Sequence, residues 1–398
     1  MRILRVHNFY QQPGGEDRAF AAEVNLLRQH SHQVFVYTTH NRAIAQMARF
    51  NLAAWTFWNS HTYHRVRTII REHQIQIVHC DNIFPLVSPA VYYAAKAEGA
   101  AVVQTLHNYR LLCLNAYLFR DGQLCEDCLN RQFASRGALR ACYRQSPEAS
   151  WVSAVMLACH RLMGTWQKQV DVHIALSRFC MDKFIEGGLP KEKLVTKPNF
   201  ISPDPDISPD SGRFALFVGR LSPEKGIFSL LHAWETLGDI PLKIVGDGPL
   251  SGVAQSWVTS RRMNVVEFLG YRDNDDIYSL IRNARFLVFP STWYECSPVT
   301  ILEAFACGVP VIASRLGAMK EIVTDGRTGL HFEPGDPDDL ADKVGWAWTH
   351  PEQVLEMGLQ ARKAYEENYT AGHNYRMLME IYMRAMTNTK RGYSAPPK

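Results

Sequence analysis

Short apolar runs alternate along the chain with segments in which apolar residues recur every three or four positions. The first such runs predict strands over residues 2–8 and 32–38 around a helix over residues 16–29. Two further buried strands are predicted at residues 75–82 and 100–108, and both end in polar residues. Parallel strands need a helical connection between them, so we expect α/β domains with parallel sheets.

The clearest element boundaries lie in residues 285–313, RFLVFPSTWYECSPVTILEAFACGVPVIA. This stretch predicts a buried strand over residues 286–290 and a second over residues 310–313. Between them we expect a helix that begins at about Pro298 and stops at Gly308, which suits the left-handed residue after a last turn. The two strands should be neighbours in one parallel sheet, joined by a right-handed connection.

The start of this helix predicts an anion-binding site. Ser297 is the expected N-cap, whose side chain would accept a hydrogen bond from a free backbone N–H group, and Pro298 suits the first helical position. Ligands of parallel sheets lie outside the carboxyl ends of the strands, where a helix N-terminus favours a phosphate. Glu295 and Glu303 lie on either side of this start, and carboxylates can accept hydrogen bonds from sugar hydroxyls.

A second turn carries cations that suit a diphosphate. In VGRLSPEKG, residues 218–226, Arg220 and Lys225 lie between a predicted strand and a helix. Arginine can bind a diphosphate through two parallel hydrogen bonds, and lysine adds a mobile point charge. A solvated basic turn would have the same composition.

Together these motifs resemble the retaining nucleotide-sugar glycosyltransferases of family 4, also described as glycosyl transferases group 1. The resemblance is carried by Glu295 and Glu303, by the EAFACGVPVIAS that continues from Glu303, and by VGRLSPEKG and GDGPL upstream. It implies the GT-B fold, in which two Rossmann-like parallel-sheet domains face a central cleft. It also implies transfer of a hexosyl or other glycosyl group from a nucleotide-sugar to an acceptor hydroxyl, with retained anomeric configuration and without a metal. The family serves surface polysaccharide, lipopolysaccharide and glycolipid biosynthesis.

The resemblance also implies roles for individual residues. Arg220 and Lys225 would stabilise the leaving diphosphate, and Glu295 would orient the donor sugar; with His107 they form the expected catalytic set. Glu303 would bind ribose hydroxyls. The residues expected to bind the donor are Gly14, Gly15, Gly219, Gly270, Tyr271, Cys296, Ser297, Pro298, Val299, Thr300 and Glu303.

Two of these features are open to a simpler interpretation from the residues alone. Gly14 and Gly15 permit close approach to the backbone before a helix, but they also suit an ordinary tight turn. His107 follows a predicted strand, where a histidine often satisfies only a local hydrogen bond, although a neutral imidazole can contact a sugar hydroxyl. In the family, the matching loop and histidine lie near the donor.

Composition favours a cytoplasmic enzyme. The 398 residues are 46% hydrophobic and 21% charged, enough for two globular domains. No apolar stretch reaches the roughly 18 residues of a membrane span, and the amino terminus lacks a signal-peptide pattern. Residues 1–199 carry 23 Lys and Arg against 14 Asp and Glu, whereas the remainder carries 20 against 25. The basic half suits an anionic membrane surface or lipid-linked acceptor, or an ordinary solvated surface, and no nucleic-acid partner is expected.

Residues 42–71 combine cationic and aromatic side chains, namely Arg42, Arg49, Phe50, Trp55, Phe57, Trp58, Arg65, Arg67 and Arg71. This mixture suits an interfacial helix on anionic lipid headgroups. Aromatic residues at helical spacing also suit a protein core, and the sequence leaves both interpretations open. Family members with lipid-linked acceptors have similar helices here, so one expectation is a peripheral enzyme on the inner face of the membrane.

Four cysteines form a possible structural zinc site. Cys125 and Cys128 have the spacing of half a tetrahedral site, and Cys113 and Cys142 would complete it. The last two lack that spacing, so reduced thiols remain an alternative, and disulfides are disfavoured in a reducing compartment. No cofactor is expected to be needed for catalysis.

The chain is expected to divide at a proline-rich linker over residues 201–212. The expected parts are an acceptor-side domain at 1–200 with a cysteine-bearing insertion at about 110–145, a nucleotide-sugar-binding domain at 212–370, and residues 371–398. That last part is expected to be a helix over residues 371–386 that crosses back to the first domain, followed by a frayed polar tail.

The sequence shows no convincing carboxylate nucleophile, so the resemblance favours attack on the same face as the leaving phosphate, which accepts the proton of the acceptor. Alternatives are a nucleotide-sugar epimerase of the same fold and a non-catalytic protein that binds sugar nucleotides or acts as a membrane-associated scaffold. A nicotinamide enzyme is disfavoured, because no G-x-G-x-x-G follows the first strand.

Overall fold

The computed structural model describes residues 1–11, 14–207 and 212–394, with side chains described to residue 389. The chain divides into two compact units. The first unit comprises residues 1–118, 126–198 and 374–398, and the second comprises residues 119–125 and 199–373. Parts of the predicted linker and of the predicted tail, at residues 208–211 and 395–398, lie outside the described residues, as do Gln12 and Pro13 before the glycine pair.

The first unit contains a six-stranded parallel sheet in the order β2-β1-β3-β4-β7-β8. Every residue of β3, β4 and β7 is buried, as expected for a sheet that is covered on both faces. Its strands are β1 (Arg2–Phe9), β2 (Gln33–His40), β3 (Ile77–Cys80), β4 (Ala101–Leu106), β7 (Val172–Ala175) and β8 (Leu194–Thr196). A short antiparallel hairpin of β5 (Phe119–Arg120) and β6 (Gln123–Leu124) follows β4 in the chain but is assigned to the second unit.

The helices of the first unit include the last helix of the chain. That helix places Leu378, Ile381 and Tyr382 in one core with Ile3 and Val103 of the sheet. The helices are α1 (Gly15–Gln29), α2 (Arg49–Phe57), α3 (Ser60–His73), α4 (Ala90–Ala97), α5 (Ser135–Leu139), α6 (Pro147–Leu162), α7 (Thr165–Lys168), α8 (Arg178–Glu186) and α16 (Ala371–Ser394).

The second unit repeats this architecture with a six-stranded parallel sheet in the order β11-β10-β9-β12-β13-β14. Its strands are β9 (Ala215–Val218), β10 (Leu242–Val245), β11 (Val266–Gly270), β12 (Phe286–Phe289), β13 (Val311–Ser314) and β14 (Gly329–Phe332). Its helices are α9 (Ile227–Thr236), α10 (Ser251–Ser260), α11 (Asn274–Arg282), α12 (Val299–Ala306), α13 (Gly317–Ile322), α14 (Pro337–Thr349) and α15 (Pro351–Asn368). The predicted fold class, two parallel α/β sheets, is confirmed.

Two predicted helix boundaries are wrong. Pro298, with φ −70° and ψ 101°, is itself the N-cap of α12, so Ser297 is not the cap and no side chain caps this helix. At the other end of the helix, Gly308 has φ +72°, as predicted. The last helix α16 continues to Ser394, beyond the predicted end at residue 386, although the sequence after that point is polar.

Residues 42–71 run through three consecutive helices. A 3-10 helix over Asn41–Gln46 precedes α2 and α3. In α2, Phe50 is 83% exposed and Trp55 is 39% exposed, so neither aromatic ring belongs to the core. Among the described residues, no helix combines the length and the hydropathy that crossing a membrane requires.

Candidate active site

The second unit presents its predicted site residues where β9 ends. Gly219 and Arg220 follow β9, and a 3-10 helix over Pro223–Lys225 precedes Gly226. Gly226 has φ +70°, and a Cβ atom added there would lie 1.9 Å from the carbonyl oxygen of Pro290. The turn that bears Arg220 and Lys225 is therefore packed directly against the end of β12.

A second close approach joins this turn to the end of β10. A Cβ atom at Gly246 would lie 1.9 Å from the carbonyl oxygen of Gly219, and Leu221 donates its backbone N–H to Asp247 at 3.0 Å. Arg220 is exposed and forms no ion pair within the part of the chain that the structure describes. Its guanidinium therefore remains available to an anion at this edge of the sheet.

Glu295 is the most heavily hydrogen-bonded side chain of this site. Its Oε1 atom accepts from Lys225 Nζ at 2.5 Å, from Ser291 Oγ at 2.7 Å and from Trp293 Nε1 at 2.8 Å. The carboxylate is buried, with 6% of the residue exposed. Three donors on one oxygen fix the orientation of the carboxylate, and no hydrogen bond joins Oε2 to the described residues.

The ion pair between Lys225 and Glu295 brings together two residues that the sequence predicts for different parts of one ligand. Lys225 Nζ also lies 5.6 Å from the ring centroid of Phe289 and 5.4 Å from that of Trp293. These aromatic faces add a weak attraction for the ammonium group. Lys225 is therefore held at the end of β12 by its contacts with Glu295, Phe289 and Trp293.

The first turn of α12 offers unsatisfied donors beside this pair. No side chain caps the helix, and Ser297 Oγ is buried without a hydrogen-bond partner among the described residues. The first backbone N–H groups of a helix have no partner within it, and they carry the positive end of its dipole. Glu303 and Cys296 are buried, with 4% of each residue exposed, while Val299 and Thr300 form the first turn.

Gly270 and Tyr271 lie farther along the same edge of the sheet. Gly270 ends β11 with φ +69°, and its carbonyl oxygen accepts from Gly246 N at 2.8 Å. Tyr271 is 78% exposed. The site residues predicted for the second half thus lie at the end of β11, on the turns after β9, β11 and β12, and in α12.

In the first unit, His107 lies just after β4 and forms a hydrogen bond that the sequence did not predict. Its Nε2 atom lies 2.9 Å from Asp81 Oδ1, at the end of β3. The two side chains are 6% and 2% exposed. The neighbouring carboxylates raise the pKa of His107 against the opposing effect of burial.

Asp81 belongs to a buried network of charges. Arg5 of β1 donates to Asp81 Oδ2 and to Glu23 Oε2, both at 2.5 Å, and Lys197 Nζ lies 2.5 Å from Glu23 Oε1. Burial opposes ionisation of both carboxyl groups, but the adjacent cations outweigh it and hold their pKa values well below the usual range. The network therefore contains two carboxylates and two cations.

His79 completes this network as a neutral ring. Burial, followed by the charge of Arg5, lowers the pKa of His79 to about 3. In the described ranges, Glu23, His79 and Asp81 form the only group of at least three potential metal ligands whose ligand atoms lie within 4.8 Å of one another. We assign them no metal, because Arg5 and Lys197 already neutralise both carboxylates.

The glycine loop of the first unit is organised by Asp17. This carboxylate accepts from Gly14 N at 3.0 Å and lies 2.7 Å from His7 Nε2. A Cβ atom at Gly14 would meet nothing within 4 Å, so space above the backbone is open to a ligand. Gly15 begins α1. Sequence reasoning missed Asp17. An acidic residue in the first turn of a helix that follows a glycine pair could have indicated it.

The predicted cysteine set is not assembled as one metal-binding group. Within the described residues, no three of Cys113, Cys125, Cys128 and Cys142 bring their sulfur atoms within 4.8 Å of one another. Cys113 Sγ donates to Asn115 Oδ1 at 2.9 Å. The structural zinc site remains a prediction.

Comparison with known families gives two matches, which together cover residues 13–364. The model of glycosyltransferase family 4 matches residues 13–205. The model of glycosyl transferases group 1 matches residues 202–364. The division between the two matches lies close to the division between the structural units.

Characterised and uncharacterised glycosyltransferases are among the similar sequences. An uncharacterised glycosyltransferase of Methanocaldococcus jannaschii is 33% identical over 168 residues, 42% of this chain and 47% of that protein. The D-rhamnosyltransferase WbpZ of Pseudomonas aeruginosa is 35% identical over 161 residues, 40% of this chain and 42% of that protein. The chain thus matches slightly less than half the length of these curated relatives.

Solved structures share the fold over nearly the whole chain. Anabaena HepE, solved in complex with UDP, aligns with a TM-score of 0.68 at 19% identity over 96% of this chain and 99% of that chain. Sucrose-phosphate synthase from Thermosynechococcus elongatus aligns with a TM-score of 0.73 at 16% identity over 97% and 100% of the two chains. These likenesses confirm the GT-B fold.

Proposed function

Because the chain belongs to the glycosyltransferases of group 1 and family 4, we propose that it transfers a glycosyl group from a nucleotide-sugar donor to an acceptor hydroxyl with retained anomeric configuration. The observation that carries this proposal is the Lys225–Glu295 ion pair beside the uncapped start of α12. One cation, one carboxylate and a set of free N–H groups are thereby held together in the second unit.

The diphosphate of the donor binds Arg220, Lys225 and the first turn of α12. As the bond to the sugar breaks, negative charge grows on the leaving diphosphate, and fixed positive groups stabilise that charge. These groups perform the role that a divalent metal has in other transferases, so the reaction is metal-independent. Removing one such preorganised donor typically costs about 100- to 1000-fold in turnover.

The two glutamates bind the rest of the donor. Glu295 accepts hydrogen bonds from hydroxyl groups of the sugar, and its fixed orientation keeps the anomeric carbon in line for attack. Glu303, in the middle of α12, accepts from the ribose hydroxyls. The leaving phosphate takes the proton of the acceptor, which attacks from the same face of the sugar.

The acceptor belongs to polysaccharide or glycolipid synthesis. The relatives support this, since they include the D-rhamnosyltransferase WbpZ and an O-antigen chain mannosyltransferase of Escherichia coli. HepE has been solved with UDP and with UDP-glucose, which supports a nucleotide-sugar as donor. The first unit, with its basic surface, would receive the acceptor.

The same unit would contact an anionic membrane from the cytoplasmic side. Phe50 is 83% exposed on α2, and Leu162 is 72% exposed on α6, which packs against α2. Arg42 and Arg49, which precede Phe50 in the chain, are exposed. Exposed apolar side chains among cations suit a lipid interface.

Binding to anionic vesicles at low salt tests the membrane contact. Phe50→Ser should weaken sedimentation with these vesicles, whereas Val253→Ser, at a residue that is 57% exposed in the second unit, should not. Equal binding of both variants and wild type, or no binding of wild type, would refute this part of the proposal.

The transfer itself is tested by measuring nucleotide release with and without acceptor and by determining the anomeric configuration of the product by NMR. Glu295→Gln should lose about 100-fold in kcat, because the sugar is no longer held in line for attack, whereas Glu352→Gln, at an exposed position of α15, should retain wild-type turnover. Addition of EDTA should leave the rate unchanged. An inverted product, or nucleotide release that does not depend on the acceptor, would contradict the proposal.

A further inference from the structure

His107 is held by one hydrogen bond, and the partner is charged. Its Nε2 atom lies 2.9 Å from Asp81 Oδ1, whereas Asp81 Oδ2 accepts from Arg5 Nη2 at 2.5 Å. Each oxygen of this carboxylate therefore has its own partner. The backbone of Asp81 is also fixed, because its N–H donates to Val6 at 2.9 Å and its carbonyl oxygen accepts from Gln104 Nε2 at 2.6 Å.

The surrounding charges keep Asp81 ionised. Arg5 donates hydrogen bonds to both Asp81 and Glu23, and Lys197 forms a second ion pair with Glu23. Lys197 in turn donates to Asn374 at 3.1 Å. Lys197 and Asn374 lie next to two of the four positions at which the backbone passes between the units, those after residues 198 and 373. Breaking a buried pair of this kind costs several kcal/mol, so the network is rigid.

An ionised carboxylate can only accept hydrogen bonds, so His107 Nε2 must carry the proton that it shares with Asp81. We propose that Asp81 is a positioning residue for His107: it fixes the ring as the Nε2–H form and leaves Nδ1 as the atom that meets the substrate. No hydrogen bond joins Nδ1 to the described residues. Without Asp81, the ring could rotate or carry its proton on either nitrogen.

The charge of the ring follows from all the groups that face it. Burial disfavours the imidazolium, but the hydrogen bond to Asp81 and the carboxylates of Glu16 and Glu23 outweigh it and raise the pKa. The cations Arg5 and Lys197 face these carboxylates. His107 thus donates from Nδ1 while it is protonated, and it becomes an acceptor there as the pH rises through its pKa.

This inference changes the role expected for His107. The sequence suggests a neutral imidazole that contacts a sugar hydroxyl, whereas the geometry favours a ring that holds its Nε2 proton against Asp81 and turns Nδ1 towards the donor substrate, with a raised pKa that favours the protonated form. The consequence for catalysis rests on the proposed transferase function. The state of the ring can be measured without any substrate.

Nitrogen-15 NMR of the full-length protein with labelled histidine tests the inference, and His107→Gln identifies the His107 signals. In wild type, we expect a proton on Nε2 throughout the titration and a pKa for Nδ1 above the ordinary value of a histidine side chain. Asp81→Asn should lower that pKa by roughly 1 to 3 units, the usual effect of a neighbouring opposite charge. The alkaline limb of kcat/KM should move to lower pH by the same amount.

Asp171→Asn is the matched control for this variant. Asp171 is 5% exposed and is paired with Lys96, but it precedes β7, at the amino-terminal ends of the strands, whereas Asp81 and His107 follow the carboxyl-terminal ends of β3 and β4. It should lose comparable stability without changing the pKa of His107.

Three results would overturn the inference: a wild-type ring protonated on Nδ1 and not on Nε2, an unchanged pKa in Asp81→Asn, or an equal shift in Asp171→Asn. The first needs no variant, so a failure of Asp81→Asn to fold leaves the inference testable. Absence of transferase activity together with the expected NMR result would count against the proposed function alone.

Discussion

Gly226 is a residue at which one added methyl group should destabilise the second unit by separating the turn that bears Lys225 from the end of β12. Its φ angle is +70°, and a Cβ atom there would lie 1.9 Å from Pro290 O and 2.8 Å from Pro290 C. Real Cβ contacts are essentially never shorter than 3.0 Å, so either the turn or the end of β12 must move by about 1.1 Å in Gly226→Ala. Lys225 precedes this glycine, and Glu295 follows β12.

The loss of unfolding free energy expected in Gly226→Ala is the sum of two contributions. A left-handed conformation costs an alanine about 1 to 2 kcal/mol, and overpacking costs about 1 to 3 kcal/mol, so Gly226→Ala should destabilise the second unit by about 2 to 5 kcal/mol. Gly238 is a matched control, because its φ angle is +65° but nothing lies within 4 Å of an added Cβ. Gly238→Ala should therefore cost only the conformational part, about 1 to 2 kcal/mol.

Urea unfolding followed by tryptophan fluorescence measures both costs. We expect Gly226→Ala to unfold at a clearly lower urea concentration than Gly238→Ala, with donor affinity lost in the first variant and kept in the second. Equal destabilisation of the two variants would refute the argument, because it would show that the contact with Pro290 does not constrain the turn.

Two further predictions concern protonation and metal. Burial gives His79 a pKa of about 3 in the folded protein, against about 6.5 for an unperturbed histidine, so its stabilising effect is complete above about pH 6.5 and is lost as the pH falls. From pH 7 to pH 5, the free energy of unfolding should fall by about 2 kcal/mol less in His79→Gln than in wild type, and an identical fall in urea titrations would contradict this. The zinc hypothesis predicts that elemental analysis finds one zinc ion per chain and that Cys128→Ser loses it. A stable wild-type protein that contains no zinc would show that the four cysteines are ordinary thiols.

Much of the second unit could be predicted because its signals are local. The apolar runs at 286–290 and 310–313 correspond to β12 and β13 within one residue at each end. Glycine at position 308 predicted a left-handed residue, and φ is +72°. Strand composition and helix ends depend on neighbours in the sequence, so a single chain is enough to find them.

Contacts between distant residues could not be predicted in the same way. Lys225 and Glu295 are seventy positions apart, and each was expected to contact a different part of the donor rather than the other residue. Asp81 and His107 end two adjacent strands, but nothing in the sequence states that their side chains meet. Sheet order and register determine both pairs, and they emerge only when the strands are assembled.

Competition between local preferences explains the remaining errors. Ser297 is a good N-cap by type, but the extended backbone of Pro298 moves the start of α12 one residue onward. The polar residues after position 386 suggested a frayed tail, whereas the backbone of α16 remains helical to Ser394. In the same helix, Leu378 and Tyr382 are anchored in the core of the first unit.

The most direct test of the central claim is thermal stabilisation of wild type, Glu303→Ala and the control Glu352→Ala by UDP-, GDP-, ADP- and TDP-sugars without added metal. A ligand at 100 times its dissociation constant adds about 2.7 kcal/mol to the stability of the state that binds it. We predict that one donor stabilises wild type and Glu352→Ala but not Glu303→Ala. If no donor at saturating concentration stabilises wild type, or if Glu303→Ala responds as wild type does, the donor site proposed at the start of α12 is contradicted.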